Sequence, residues 1–166
     1  MKSARKTPIG NVLIEENGGF ITRLEFSAAD SELEKSPNHS ELLDRAFGEL
    51  EDYLCGKLEK FSVPLNPAGT EFQRRVWAEL LKIPYGKTAA YKEIAIMAGN
   101  SRAVRAVGMA NNRNPIPIMI PCHRVVGSNG KLVGYAGGLD MKRRLLDLEQ
   151  NGAAHLKTGA ESGKGG

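Results

Sequence analysis

The apolar residues of this chain change period along its length. Over 11–16 and 20–26 apolar and polar residues alternate, the period of a half-buried strand, and Asn17-Gly18-Gly19 stands between the two runs. An Asn-Gly pair supplies the positive φ that a tight antiparallel turn needs, so the pattern predicts a hairpin. Over 40–55 the period becomes helical: Leu42, Leu43, Ala46, Phe47, Leu50, Tyr53 and Leu54 fall on one face. Ser40 is the expected N-cap and Gly56 the stop. Pro64 and Pro67 then mark a connector.

Beyond Gly69 the helical period returns in shorter pieces. Phe72, Val76, Trp77 and Leu80 give 70–81 an apolar stripe, and Ile83-Pro84-Tyr85-Gly86-Lys87 reads as a turn. A second helix is expected over 91–98, closed by Gly99-Asn100, and a third over 102–112 with Ser101 as N-cap. Two helices joined by a Gly-containing turn, the second rich in small residues and arginine, fit a helix-turn-helix. A wing-like hairpin is expected over 124–134 around Gly127-Ser128-Asn129-Gly130. A last helix over 139–150 should bury Leu145, Leu146 and Leu148. The Gly/Ala/Lys/Ser-rich stretch 153–166 predicts a disordered tail. The expected architecture is an α/β front domain with a small antiparallel sheet over 1–68, then a mainly α winged helix-turn-helix-like domain over 69–152.

Composition narrows the class. With 166 residues, 41% hydrophobic and 25% charged, the chain is an ordinary globular one. No apolar run approaches the ~20 residues of a membrane span. The basic segment 1–10 is not followed by an apolar core, so no secretory signal is read and a cytoplasmic protein is expected, nuclear if eukaryotic. Two cysteines and three histidines give neither a disulfide framework nor a zinc spacing, so no metal and no cofactor are expected. Charge is unevenly spread. Residues 1–69 carry eight Lys/Arg against twelve Asp/Glu, whereas 70–150 carry thirteen against six. An acidic front and a basic rear suggest that the rear meets a polyanion; a solvated basic face without a partner fits the same count.

The chemistry concentrates in Asn114-Pro115-Ile116-Pro117-Ile118-Met119-Ile120-Pro121-Cys122-His123-Arg124-Val125. Its plain reading is a buried apolar strand ending in a core cysteine. Pro121 argues otherwise, because it fixes φ and removes a donor just before Cys122. His123 and Arg124 follow at once, and positive neighbours are expected to lower a thiol's pKa. Cys55, in an apolar helical stripe beside a glycine, is expected to be structural.

Pro121-Cys122-His123-Arg124-Val125 resembles the active-site signature of the O6-alkylguanine-DNA alkyltransferases. The likeness extends, in the family's order, through Thr70-Glu71-Phe72-Gln73, Val76-Trp77, Ile83-Pro84-Tyr85-Gly86-Lys87-Thr88, Tyr91, 102–108, Asn114-Pro115 and Gly137-Gly138-Leu139. It is strong over 70–149 and weaker at Thr7-Pro8-Ile9-Gly10 and along the front domain. The resemblance implies direct reversal of O6-alkylguanine, and of O4-alkylthymine, by irreversible transfer of the alkyl group to Cys122, one turnover per molecule. It implies His123 as base for the thiol through a bound water, Glu149 as the carboxylate that orients His123, and Asn114 as a hinge tying the helix-turn-helix to the Cys122 segment. Read alone, Glu149 is an exposed helix acid and Asn114 a turn former before proline.

The resemblance also implies double-stranded DNA bound by the minor groove, by a monomer and away from membranes. Arg105 would enter the stack as the damaged nucleotide flips out, although an arginine on a phosphate is the plain alternative. Ala103, Ala106, Gly108 and Ala110 would let the recognition helix approach, with Thr70 also among the DNA contacts. Tyr91 would rotate a phosphate or protonate the departing guanine; alone it reads as a half-buried aromatic at a helix start. Val125 would offer its carbonyl to the guanine amino group, and Tyr135, Ala136 and Pro117 would wall the base pocket. Ala136 departs from the serine that many members carry. Three other classes compete. An alkyltransferase-like damage binder lacks the acceptor cysteine, a winged-helix regulator gives Pro121-Cys122-His123 no role, and a thiol protease places its histidine far from the cysteine.

Overall fold

A computed structural model describes residues 1–26, 28–34 and 39–157. The front domain is a three-stranded antiparallel sheet, β1 (Lys2–Thr7), β2 (Gly10–Asn17) and β3 (Phe20–Phe26), in the order β1-β2-β3. The predicted hairpin is β2–β3. Gly18 and Gly19, at φ 60° and 84°, make its turn, and a register shift at Glu15/Glu16 bends it. Strand β1 was not expected, because the residues it buries, Ser3 and Ala4, are small and leave no apolar alternation to read. Lysines at 2 and 6 stand along this edge strand, as suits an edge that must not pair further.

A short helix α1 (Asp30–Glu34) precedes α2 (Glu41–Leu54). Ser40 caps α2 as expected, its hydroxyl accepting from the Leu43 amide at 2.9 Å. Leu43, Ala46, Phe47, Leu50 and Tyr53 form the buried face of α2, and Gly56 at φ 77° ends the helix. Cys55 is a correction. It is exposed at the helix end rather than packed in the stripe, because the chain leaves the helical path there.

The rear domain holds α3 (Glu71–Leu80), β4 (Ala89–Ala90), α4 (Tyr91–Met97), α5 (Val104–Asn112), a 3-10 turn (Cys122–Arg124), β5 (Val125–Val126) and α6 (Leu139–Lys157). Thr70 and Gln73 close a reciprocal capping box on α3. The Trp77 Nε1 donates to the Ala110 carbonyl at 2.9 Å, tying α3 to α5. Helix α5 starts later than expected: Ala103, not Ser101, is its N-cap, and it makes no side-chain cap bond.

The expected wing is also corrected. Among the described residues β5 has no hairpin partner; it pairs in parallel with β4. Gly127 and Lys131 do close a turn at 2.8 Å. The segment beyond is held by side chains instead of a ladder, with Lys142 Nζ donating to the carbonyls of Val133 and Gly134 at 3.0 and 3.3 Å. Helix α6 continues past 150 to Lys157, through the strong helix formers Ala153 and Ala154. Of its expected core leucines only Leu145 is fully buried, while Leu146 and Leu148 are half-buried. The expected tail thus begins as helix, and 158–166 lie outside the described residues.

One buried cluster runs through both domains, from Val12, Ile14 and Leu50 to Trp77, Ile94 and Cys122. Backbone bonds also cross the boundary: Ile21 N to Pro64 O at 2.8 Å and Leu24 N to Pro115 O at 2.9 Å. No described helix is long and apolar enough to cross a membrane.

Candidate active site

The segment 114–121 delivers Cys122 through a backbone that would not hold by itself. Ile118 sits at φ 73°, the one non-glycine left-handed residue among those described. A β-branched side chain there costs about 1–3 kcal/mol and persists only when its surroundings over-determine it. Asn114 supplies much of that. Its Nδ2 donates to Ile120 O at 2.8 Å while its Oδ1 accepts from Ile116 N at 2.9 Å. Ile116, Ile118 and Ile120 fill the core below. The chain then turns at Pro121, and the Cys122 amide bonds back to Ile120 O at 2.8 Å.

Behind the turn lies a buried ionic cluster. Glu149, with no solvent exposure, takes His123 Nε2 at 2.7 Å and Arg124 Nε and Nη2 at 2.8 and 3.0 Å. It also accepts from the Gly86 amide at 3.4 Å and from the Tyr53 hydroxyl at 2.5 Å. Burial pushes this carboxyl up, but the bonds from His123 and Arg124 outweigh it and hold the group down at about 2. A carboxylate so thoroughly bonded is a fixed anion and not a proton acceptor. Arg124 spends its remaining nitrogen on Ile83 O at 2.7 Å, so it ties the cluster to the 81–88 loop. His123 is fully buried and its pKa is lowered, mainly by burial. With Nε2 committed to Glu149, Nδ1, which has no protein partner, is the nitrogen left to act as base.

Cys122 itself corrects an expectation. Its thiol, 3% exposed, is pushed up to about 11 by burial rather than lowered by its neighbours. The adjacent charges point elsewhere: Arg124 and His123 both face Glu149. What does favour the thiolate is a hydrogen bond from Asn114, the charge of Lys142 and the amides of residues 122 and 123. Lys142 lies within α6 with its ammonium on two carbonyls and 6.0 Å from the Tyr91 ring centroid. Nothing in the sequence pattern singled it out, since it reads as one of three basic residues on a solvated helix face. Asn111, which reads as an ordinary polar residue at the end of α5, is likewise not marked by the pattern; it is buried, and its Nδ2 donates to the Cys122 carbonyl at 3.3 Å.

The other expected site residues fall in three places. Tyr91 is half-buried and donates to Val133 O at 2.9 Å, its phenol raised above the ordinary value mainly by burial. Tyr135 packs on Phe26 of the front domain, ring centroids 6.0 Å apart, with its hydroxyl buried. Asn114, Pro117 and Ala136 share a cleft of about 640 Å3 with Thr22, Leu24 and Phe26 of β3; Cys122, Val125 and Tyr135 do not line it. Val125 is buried in β5, and Thr70 uses its side chain to cap α3.

Arg105 and Ala106 stand on the exposed face of α5, with Ala103 and Gly108 half-buried beside them. A Cβ added at Gly108 would meet nothing within 4 Å, so this face has room for a close neighbour. Ala110 turns inward and belongs to the core instead. Among the described residues no group of His, Cys, Asp or Glu is placed to hold a metal ion.

A buried thiol, a histidine next in the chain bonded to a buried carboxylate, and two helices joined as a helix-turn-helix with exposed arginine define a DNA-binding protein built around one cysteine nucleophile. The comparisons make the class particular. Residues 2–67 match the 6-O-methylguanine DNA methyltransferase ribonuclease-like domain, and 71–151 match the DNA binding domain of the same family. The methylated-DNA–protein-cysteine methyltransferase of Methanosarcina barkeri is 50% identical over 149 residues, covering 88% of this chain and 94% of the relative. That of Mycobacterium leprae is 45% identical, covering 87% and 89%. A crystal structure of Mycobacterium tuberculosis OGT in complex with DNA superposes with a TM-score of 0.81 at 42% identity, covering 91% and 93%. The chain belongs to the 6-O-methylguanine DNA methyltransferase family.

Proposed function

We infer that this protein repairs DNA by taking the alkyl group of O6-alkylguanine, and of O4-alkylthymine, onto the Cys122 sulfur, once per molecule. The observation that carries the reading is the buried His123–Glu149 pair directly after the buried Cys122, with Nδ1 of His123 left as the free nitrogen. With the thiol near 11, only about one molecule in 10⁴ is a thiolate at neutral pH, so the proton must be taken as the lesion arrives. His123 Nδ1 receives it, through a bridging water. Sγ attacks the carbon on O6, the S–C bond forms and the C–O6 bond breaks. The guanine leaves with the electron pair and ends with one proton more, the one the thiol gave up. Lys142 and the Asn114 amide stabilise the sulfur anion as it forms. Tyr91, a phenol that holds its proton, serves the departing base or turns a backbone phosphate.

The target atom lies inside the base stack, so the nucleotide must leave the duplex. On this reading α5 enters the minor groove of double-stranded DNA. Ala103, Ala106 and Gly108 permit the approach, Thr70 adds a contact and Arg105 fills the vacated stack. The minor groove carries a degenerate code, as suits a protein that must act in any sequence. The flipped base is walled by Pro117, Tyr135 and Ala136, with Val125 O on its amino group. No cofactor enters this scheme. The protein acts as a monomer of two domains, 1–68 and 69–152, in the cytoplasm or, in a eukaryote, the nucleus. Mass spectrometry after exposure to O6-methylguanine duplex should show one methyl per chain, on Cys122. Sustained turnover beyond one equivalent contradicts the reading.

A further inference from the structure

We propose that Tyr53, a front-domain residue, is a positioning residue of the relay, sharing the Glu149 carboxylate with His123 and thereby setting how strongly that imidazole holds a proton. The proposal rests on the alkyl-transfer reading above. Tyr53 lies near the end of α2 and is fully buried. Its hydroxyl donates to Glu149 Oε2 at 2.5 Å, the same oxygen that His123 Nε2 reaches at 2.7 Å, and it stands 3.4 Å from Nε2 itself. Arg124 Nη2 reaches the same oxygen at 3.0 Å, so the imidazole shares it with two other donors, of which Tyr53 is the nearer. Burial and the nearby carboxylate push the Tyr53 phenol well above its ordinary value, so it stays a donor at any working pH.

Two aromatic rings fix this hydroxyl. Phe61 lies 5.3 Å from the Tyr53 ring centroid, and Tyr85 packs edge-on at 6.2 Å. The charged groups acting on His123 are Glu149 and Lys142 of α6 and Arg124 of its own turn, Tyr53 stands at its Nε2, and Tyr85 of the 81–88 loop faces the Glu149 and Arg124 charges. Tyr53 is the only one of these from the front domain. A carboxylate satisfied by tyrosine attracts an imidazolium less than a bare one, so His123 is left neutral and able to accept the thiol proton near pH 7. The front domain, which carries no residue of the thiol–imidazole–carboxylate path, thus reaches into it through one oxygen atom.

Tyr53→Phe keeps the ring and removes only that oxygen. Glu149 retains Arg124, His123 and Gly86, so the fold should survive. The experiment uses ¹⁵N-histidine-labelled full chain, where only three histidines give signals, and follows the His123 titration in wild type and variant. The same two proteins are then reacted with the free base O6-benzylguanine across pH, which bypasses DNA binding. The expected result is a His123 titration moved upward by about half a unit to one unit in Tyr53→Phe, with the acid limb of the transfer profile moving by the same amount. Phe61→Leu, which loosens the same packing without touching the hydroxyl, should leave both positions unchanged. An unmoved His123 titration in Tyr53→Phe, or an equal shift in Phe61→Leu, overturns the proposal. A wild-type Cys122 that stays unmodified overturns the alkyl-transfer reading instead, while the titration still decides the role of Tyr53.

Discussion

The turn at 122–124 and the helix at 104–112 are close in sequence and opposite in construction. In the turn, Cys122, His123 and Arg124 are all buried, and the His123 and Arg124 side chains are both bonded to Glu149. On α5, Arg105 and Ala106 face solvent, and the helix lacks even a side-chain cap. A reacting sulfur must be held to within a fraction of an ångström and kept dry. A DNA-contacting surface must accommodate any sequence, and phosphate attraction tolerates small displacements. The two should therefore fail differently when altered, chemistry on one side and access to the lesion on the other.

The sharpest break is at the sulfur. Cys122→Ala should abolish transfer completely while leaving affinity for duplex DNA within about threefold, since that affinity comes from phosphate contacts made elsewhere. Gel shifts with labelled O6-methylguanine duplex, beside a transfer assay, measure both. A parallel loss of binding would mean that the turn and α5 are not separable.

Next comes Glu149→Gln, which strikes chemistry and stability together. Removing one member of a buried charge cluster leaves Arg124 uncompensated, at about 3–5 kcal/mol. Loss of the relay should slow transfer by about 10²–10⁴-fold, the range of a general-base contribution. The pH dependence of folding tests the same cluster. Glu149 is depressed in the fold, so its stabilisation is complete above about 4.5 and is lost as pH falls towards about 2. The His123 pKa is lowered as well, so its contribution is complete above about 6.5 and declines below that. Both have the same sign: urea midpoints should fall as pH drops below about 6.5 and go on falling between about 4.5 and about 2. In Glu149→Gln the fall between about 4.5 and about 2 should be reduced, and an unchanged acid limb would remove Glu149 from the account.

Arg105→Ala should act on the other side of the comparison. Losing one stacked guanidinium costs about 1–3 kcal/mol, or about 5- to 150-fold in transfer from duplex DNA. Reaction with free O6-benzylguanine should stay within about twofold, because nothing need be flipped. Equal losses on both substrates would place Arg105 in the chemistry, against its exposed position on α5.

The contrast also explains what was legible in the sequence. The caps Ser40 and Thr70, the turn glycines 18 and 19 and the apolar stripe of α2 announce themselves, because each is a local rule. The Cys122–His123 pair was legible as a motif, and Glu149 and Asn114 only through the family resemblance. The direction of the Cys122 thiol shift differs from the sequence reading, since adjacency in sequence sets His123 and Arg124 near the sulfur while the His123 ring and the Arg124 guanidinium face Glu149. Lys142 and Tyr53 act through contacts with residues nine and 96 positions away respectively, and no local pattern records such distances. Strand β1 escaped because Ser3 and Ala4 bury too little apolar surface to make a period.

The smallest expected effect is at the second thiol. Cys55 is the more accessible of the two cysteines, exposed just beyond the end of α2, whereas Cys122 is buried. Reactivity by exposure alone would favour Cys55; reactivity by position favours Cys122. Iodoacetamide should therefore label Cys55 first, and O6-methylguanine duplex should methylate Cys122 and leave Cys55 untouched. Cys55→Ser should hold transfer within about twofold and stability within about 0.5 kcal/mol, as for surface substitutions generally. A methyl found on Cys55 after repair would mean that solvent access rather than the buried relay selects the acceptor, and the difference between the two regions would then carry no chemical weight.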